Sequence, residues 1–277
     1  MKYAAQTQII DPNFQTQHSG KCDLLIKISG ARFSYAVVDQ AQDQLKALGD
    51  IATENTIESL DGLLEIEHFF GFDFHRVKIA TETSKFTFIP ATMYSESNLP
   101  EYALFLKGHP SELTVSDIRL PQIKNVAGFD AKIQESLSTK FSSYKMFGSA
   151  NPLIEGTMKI YAGTAPRLVL NFGYNVFEAV VLQYNKLSFY NLFPIDNTDD
   201  FNYFLLLILK EFGLQPQDLS LIVSGNINEG DEILGRLQKY FSEIKYAEAK
   251  FLVQIPEMFQ TVPSHRFFDL ISLNLCE

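Results

Sequence analysis

"LVLNFGYNVFEAVV", residues 168–181, is a pair of apolar strands around a short polar turn. The same arrangement stands earlier, in "LLIKISGARFSYAVV" at 24–38. With Leu24 placed on Leu168, an offset of 144, Leu25 meets Val169 and Ile26 meets Leu170. Ile28 then meets Phe172, and Phe33 meets Phe177. Small residues in the turns "KISGARF" and "NFGYNVF" permit positive φ and a tight reversal. Self-similarity of this kind constrains a fold before any short motif does.

The repeat continues past the hairpin. Leu45 falls on Leu187 at an offset of 142, and a third strand follows in both copies. A helix opens after Asn55 or Thr56 in one copy and after Asn197 or Thr198 in the other, all good N-cap types. Ile57, Leu60, Leu63, Leu64 and Phe70 mark one buried helical face; Phe201, Phe204, Leu205, Ile208 and Phe212 mark the other. Both helices are expected to stop at glycine, at Gly71 and Gly213. Keeping the offset of 142 sets Val77 on Leu219 and Ile79 on Leu221 in the next strands. The order β-β-β-α-β, held through two copies, predicts an α/β protein built by duplication. The softest boundary is "YAGTAP" at 161–166, giving units 1–162 and 163–277.

Between the copies, "KFTFIP" at 85–90 reads as a strand and "SNLPEYALFLKG" as a helix ended by Gly108. "DIRLPQIKNVAG" reads as an extended segment in which Pro121 argues for an edge or a bulge. Helices are expected at 130–141, 151–161 and 229–243, strands at 143–147 and 246–253, and a final helix in "SHRFFDLISLNLCE".

Bulk properties narrow the function classes. A formal charge of −10 with no Lys/Arg stripe repels a phosphate backbone, so nucleic acid is not an expected partner. The 24 Phe are spread along the chain, as core filling requires. "YFLLLIL" at 203–209 is far too short to span a bilayer, and "MKYAAQTQII" lacks the apolar core of a signal peptide. Cys22 and Cys276 form no metal-spaced pair and no disulfide framework, so a reducing cytoplasm is expected and no metal site is. Asp199 and Asp200 open a helix, where acids suit the dipole. No P-loop and no Ser-His-Asp or Cys-His set is present to nominate a catalytic residue.

Two β-β-β-α-β-α units in one chain resemble the actin-like ATPase superfamily, which includes sugar kinases and the pilus-assembly actin-like proteins. "KLSFYNLFPIDNTDDFNYFLLLILKEFGLQPQDLSLIVSGNI" at 186–227, "FTFIPATMYSESNLPEYALFL" at 86–106 and "HRFFDLISLNLCE" at 265–277 are similar to a Bacteroidetes domain family of unknown function with that fold. The resemblance implies two ribonuclease-H-like units around a central cleft. It implies no reaction.

In that superfamily the two hairpins face each other and hold phosphates, each usually with Asp-x-Gly. The glycine lets backbone N–H groups approach phosphate, and the aspartate holds Mg²⁺ through water. Here the second hairpin has Asn171-Phe172-Gly173, and the first has Lys27-Ile28-Ser29-Gly30. The strand that would lie against the nucleoside ends in Ser224-Gly225-Asn226. A neutral amide and a cation therefore stand where the metal needs carboxylates. Lys27, Ser29, Gly30, Asn171, Gly173, Ser224, Gly225 and Asn226 are the candidates for a vestigial nucleotide site. The expected protein is a non-catalytic cytoplasmic scaffold or interaction module without cofactor, binding an unknown protein. The alternative is a divergent ATP-binding protein or ATPase using the same cleft.

Overall fold

The computed structural model describes residues 4–161 and 163–277. Residues 1–3, the first part of "MKYAAQTQII", and boundary residue 162 lie outside the described residues.

The first unit runs β1 (Ala4–Ile10), β2 (Cys22–Ile28), β3 (Arg32–Asp39), β4 (Gln44–Ala52), α1 (Thr56–Leu63) and β5 (Arg76–Thr81). An inserted three-stranded sheet follows, with β6 (Phe86–Pro90), α2 (Leu99–Phe105), β7 (Leu113–Ile118) and β8 (Ile123–Gly128). The unit closes with α3 (Ala131–Lys140), β9 (Lys145–Gly148) and α4 (Ala150–Tyr161). The second unit runs β10 (Arg167–Phe172), β11 (Val176–Gln183), β12 (Lys186–Pro194), α5 (Thr198–Glu211), β13 (Ser220–Gly225), α6 (Glu232–Tyr240) and β14 (Ile244–Tyr246). A short helix α7 (Phe268–Ser272) lies between two 3₁₀ turns at the end.

The two main sheets are one pattern used twice. Their orders are β1-β4-β3-β2-β5-β9 and β12-β11-β10-β13-β14. In each, an antiparallel meander of three strands is extended by two parallel strands. Each carries a register shift at the same place, between Val37 and Val38 and between Val181 and Leu182. Asn55 accepts from the amides of Ile57 and Glu58, and Asn197 from those of Asp199 and Asp200, so both helices open on the same side-chain cap.

The structure corrects several expectations. Leu24 pairs with Val77 and Leu168 with Leu221, so Val77 corresponds to Leu221, not Leu219. The offset returns to 144 after the helix. A two-residue slip keeps every side chain on its own face of the strand, so apolar alternation does not register it. α1 ends at Leu63, and Gly71 closes a separate 3₁₀ turn; Gly213, with φ +60°, is the left-handed stop of α5. Pro121 lies in the turn between β7 and β8, where its missing N–H costs no ladder bond. The strand expected at 246–253 is three residues, 244–246, followed by a 3₁₀ turn. β1 pairs along β4 and has no counterpart in the repeat.

Each sheet buries one face in its own core and the other in a shared one. Leu24, Ile26, Phe33 and Phe70 belong to the first outer core, and Phe177, Phe201 and Leu221 to the second. The central core joins Leu25, Val38, Val169 and Val180 from both sheets with α4 and α7. Gly156 lets these two helices touch: a Cβ there would lie 2.0 Å from Ser272 Oγ. α7 thereby reaches β2, β3 and β13 at once, which sets its side chains between the hairpins.

Candidate functional site

β2 and β10 bring Lys27 and Asn171 to the same level on facing sheets. Neither faces an open phosphate pocket. The Lys27 ammonium is ion-paired with Asp269, the second residue of α7. Asn171 Nδ2 donates to the same carboxylate at 3.0 Å and to Glu178 at 2.8 Å. Asn171 Oδ1 accepts from Ser224 Oγ at 2.8 Å. Both amide hydrogens and the carbonyl of Asn171 are therefore used, and the side chain joins β10, β11, β13 and α7. Glu178, paired across the ladder with Asn171, takes a second bond from Tyr190 at 2.5 Å. Burial, then the Glu178 charge, hold the Tyr190 phenol far above its ordinary value.

Lys27 stays charged in this setting. Burial works to strip its proton, but Asp269, Glu178 and Glu82 outweigh burial and raise its pKa. Glu82, one residue past β5, has the opposite fate. Burial pushes its carboxyl up to about 7; Lys27 opposes this, and Glu178 and Asp269 add to it. An acid with a raised folded pKa makes stability fall as pH rises from its ordinary 4.5 towards 7, because the unfolded chain gives up the proton first. The contribution is about 3 kcal/mol at most, reduced by the solvent that this half-buried side chain keeps. Urea unfolding across that interval is expected to show the slope in the wild type and its loss in Glu82→Gln; parallel profiles would refute the assignment.

The other candidates separate into two groups. Ser29, Gly173 and Gly225 line the same narrow cavity as Lys27, with Asn226 at its rim. Gly30 points away at the exposed tip of the first turn, where its carbonyl accepts from the Thr56 amide. Neither Gly30 nor Gly173 has a positive φ; the left-handed residue of the second hairpin is Asn175, at +55°. Gly173 is needed for close approach, since a Cβ there would lie 2.6 Å from Val176 Cγ1. Gly225 combines φ +79° with a Cβ position 2.2 Å from the Phe172 carbonyl oxygen.

Sequence reasoning missed the residues that fill the space. Asp50 is buried beneath the first hairpin, bonded by Arg32, by Ser34 at 2.8 Å and by Arg266 at 3.1 Å. Arg266 and Asp269 come from the C-terminal segment, so this segment supplies both a cation and an anion to the junction. What remains open is about 40 Å³, room for no more than a few waters. The signal available in the sequence was an isolated acid within an apolar run: Glu178 in "VFEAVV" and Asp269 in "FFDLIS".

A model of the family described as "Protein of unknown function (DUF3822)" matches residues 11–244. The chain belongs to this family. No curated protein matches its sequence. Among solved structures, a Bacteroides thetaiotaomicron protein with actin-like ATPase fold and unknown function is similar at TM-score 0.76 and 19% identity, over 95% of this chain and 99% of that one. The PilM–PilN type IV pilus biogenesis complex contains a chain similar at TM-score 0.55 and 14% identity, over 91% of this chain and 97% of that one. The fold of this family member is the actin-like ATPase fold. Among the described residues no helix is long and apolar enough to cross a membrane, and no group of three or more His, Cys, Asp or Glu is placed to hold a metal ion.

Proposed function

We propose that this DUF3822 protein is a non-catalytic actin-like protein, a cytoplasmic scaffold or interaction module whose nucleotide cleft is closed by its own C-terminal segment. One observation carries the reading: Asp269 lies between Lys27 and Asn171, in the gap where the fold would otherwise receive phosphate. A carboxylate already neutralises the lysine. A metal-bound nucleotide suits these residues badly, because its phosphates would meet Asp269 and Glu178 and its metal would meet Lys27. Small-molecule sites generally need several hundred Å³, far above the volume left here. A protein partner is favoured by the likeness to a chain solved within the PilM–PilN complex.

Thermal melting with and without millimolar Mg-ATP tests the reading. The expected result is no change in Tm. A ligand at about 100 times its Kd would add roughly 2.7 kcal/mol and raise Tm by about 5 °C or more. A rise of that size, lost in Gly173→Val, would overturn the proposal in favour of a divergent ATP-binding protein.

A further inference from the structure

The filled junction is not the largest space between the units. A cleft of about 730 Å³ opens beside it, within the size range of sites for small organic ligands. One wall is the segment Thr81–Lys85 with the start of α3. The other is the tip of the second hairpin, Tyr174 to Val176, with Leu192 and Pro194 of β12. Two side chains of the wall at the end of β5 have no hydrogen-bond partner among the described residues. Thr81 is 4% exposed, and its hydroxyl has no hydrogen-bond partner among the described residues. The Glu82 carboxylate beside it is influenced by charges and burial alone, with no hydrogen bond to it. The Thr81 hydroxyl is closed off from the cleft, whereas the half-buried Glu82 carboxylate lines it and can take a donor from outside the chain.

The charge of the walls states what could complete Glu82. Glu82, Glu112 and Asp130 face the cleft against one lysine, Lys85. Glu112 and Asp130 each already accept one amide, from His109 and Lys132, whereas Glu82 accepts none among the described residues. Tyr174, 62% exposed, presents an aromatic ring at the mouth, a surface that attracts cations. We propose that this cleft binds an organic cation, an ammonium or guanidinium group on an apolar stem, with the charge on Glu82 and the stem along Tyr174, Leu192 and Pro194.

Glu82 is also faced by Lys27 from β2, Glu178 from β11 and Asp269 from α7, while Arg32 and Arg266 line the narrow cavity with Asp50. Of the charges that act on Glu82, two are acids, Glu178 and Asp269, and one is a cation, Lys27, itself paired with Asp269. A bound cation would offset that excess and hold Glu82 ionised. Affinity is therefore expected to fall as pH drops below about 7. Glu82 borders both spaces, but cation binding is read by its own titration and Mg-ATP by the melt, so either result stands without the other.

Two probes distinguish the sources of such a group. Agmatine represents a free amine, and the blocked tripeptide acetyl-Leu-Arg-Leu-amide represents a basic side chain on an extended peptide. Amide chemical shifts of the full chain are followed by NMR during each titration. The expected result is a saturable change at Thr81, Glu82, Tyr174 and Asn175 with at least one probe. Binding should weaken roughly tenfold in Glu82→Gln and at pH about 5.5 relative to about 8. Tyr174→Ala, at an exposed position, should weaken it severalfold without altering the melt. A response to agmatine assigns a free amine, and a response to the tripeptide alone assigns a peptide. No saturable change with either probe up to about 20 mM, or unchanged affinity in Glu82→Gln, overturns the proposal.

Discussion

Asp269→Ala is expected to lose about 3–5 kcal/mol of unfolding free energy at neutral pH, read from urea unfolding as a lower midpoint. Asp269 is 3% exposed and holds three donors: the Lys27 ammonium, the Asn171 amide and its own helix through the Leu270 amide at 2.8 Å. Alanine removes the acceptor and leaves the donors in place. The lysine side chain is only 16% exposed, so water cannot replace the lost carboxylate well. Truncating one partner of a buried pair costs more than deleting both. The double variant Lys27→Met with Asp269→Asn is therefore expected to recover at least half of the loss. A loss under about 1 kcal/mol in the single variant would mean that α7 is held by packing alone, and that Asp269 does not lock the hairpins together.

The fold was legible because duplication left several independent marks at fixed spacing. The hairpin, the Asn caps at 55 and 197 and the apolar faces of α1 and α5 repeat together. Each mark rests on a different local physics, so their agreement is informative. The errors fall where a local signal has no unique geometric meaning. Alternation has a period of two, so it missed the two-residue difference before β5. Gly71 looks like Gly213 in sequence, but α1 stops a full turn and more before it. β1 lies at a sheet edge and is specified by its partner β4, a long-range pairing with no mark of its own.

The site was legible in half. Lys27 and Asn171 stood out because the repeat and the resemblance together defined what should occupy those positions. Their partners did not. Asp269 lies 242 residues from Lys27 in the chain, and "FFDLIS" reads locally as an ordinary helical segment. What makes it decisive is tertiary: Gly156 admits Ser272, α7 seats against α4, and one carboxylate then falls between two hairpins. The change from carboxylates to Lys and Asn, read alone, is a loss of metal ligands. With Asp269 and Glu178 in view, the same two residues are donors of an internal network.

Asn171→Asp restores the residue type expected of a metal-binding hairpin, and it is expected to destabilise the protein by about 4 kcal/mol or more at pH above 7. Asn171 is 1% exposed and gives one amide hydrogen to Glu178 and one to Asp269. Hydrogen bonds to ionised groups contribute about 1.5–3 kcal/mol each, and aspartate forms neither. It would also set a new charge against two carboxylates already in contact with that position, with Glu82 close by. The new acid must then titrate well above the ordinary carboxylate range in the folded state. Its cost is complete above that raised value and shrinks as pH falls towards the unfolded value, because the protonated acid again donates one hydrogen bond. Urea midpoints of wild type and variant should therefore converge on acidification and diverge on the alkaline side. Added Mg²⁺ is expected not to rescue the variant, since Lys27 still holds the opposite hairpin. Equal midpoints at all pH values, or rescue by Mg²⁺ and ATP together, would show that Asn171 is a lapsed metal ligand and not the hub of a network that replaced it.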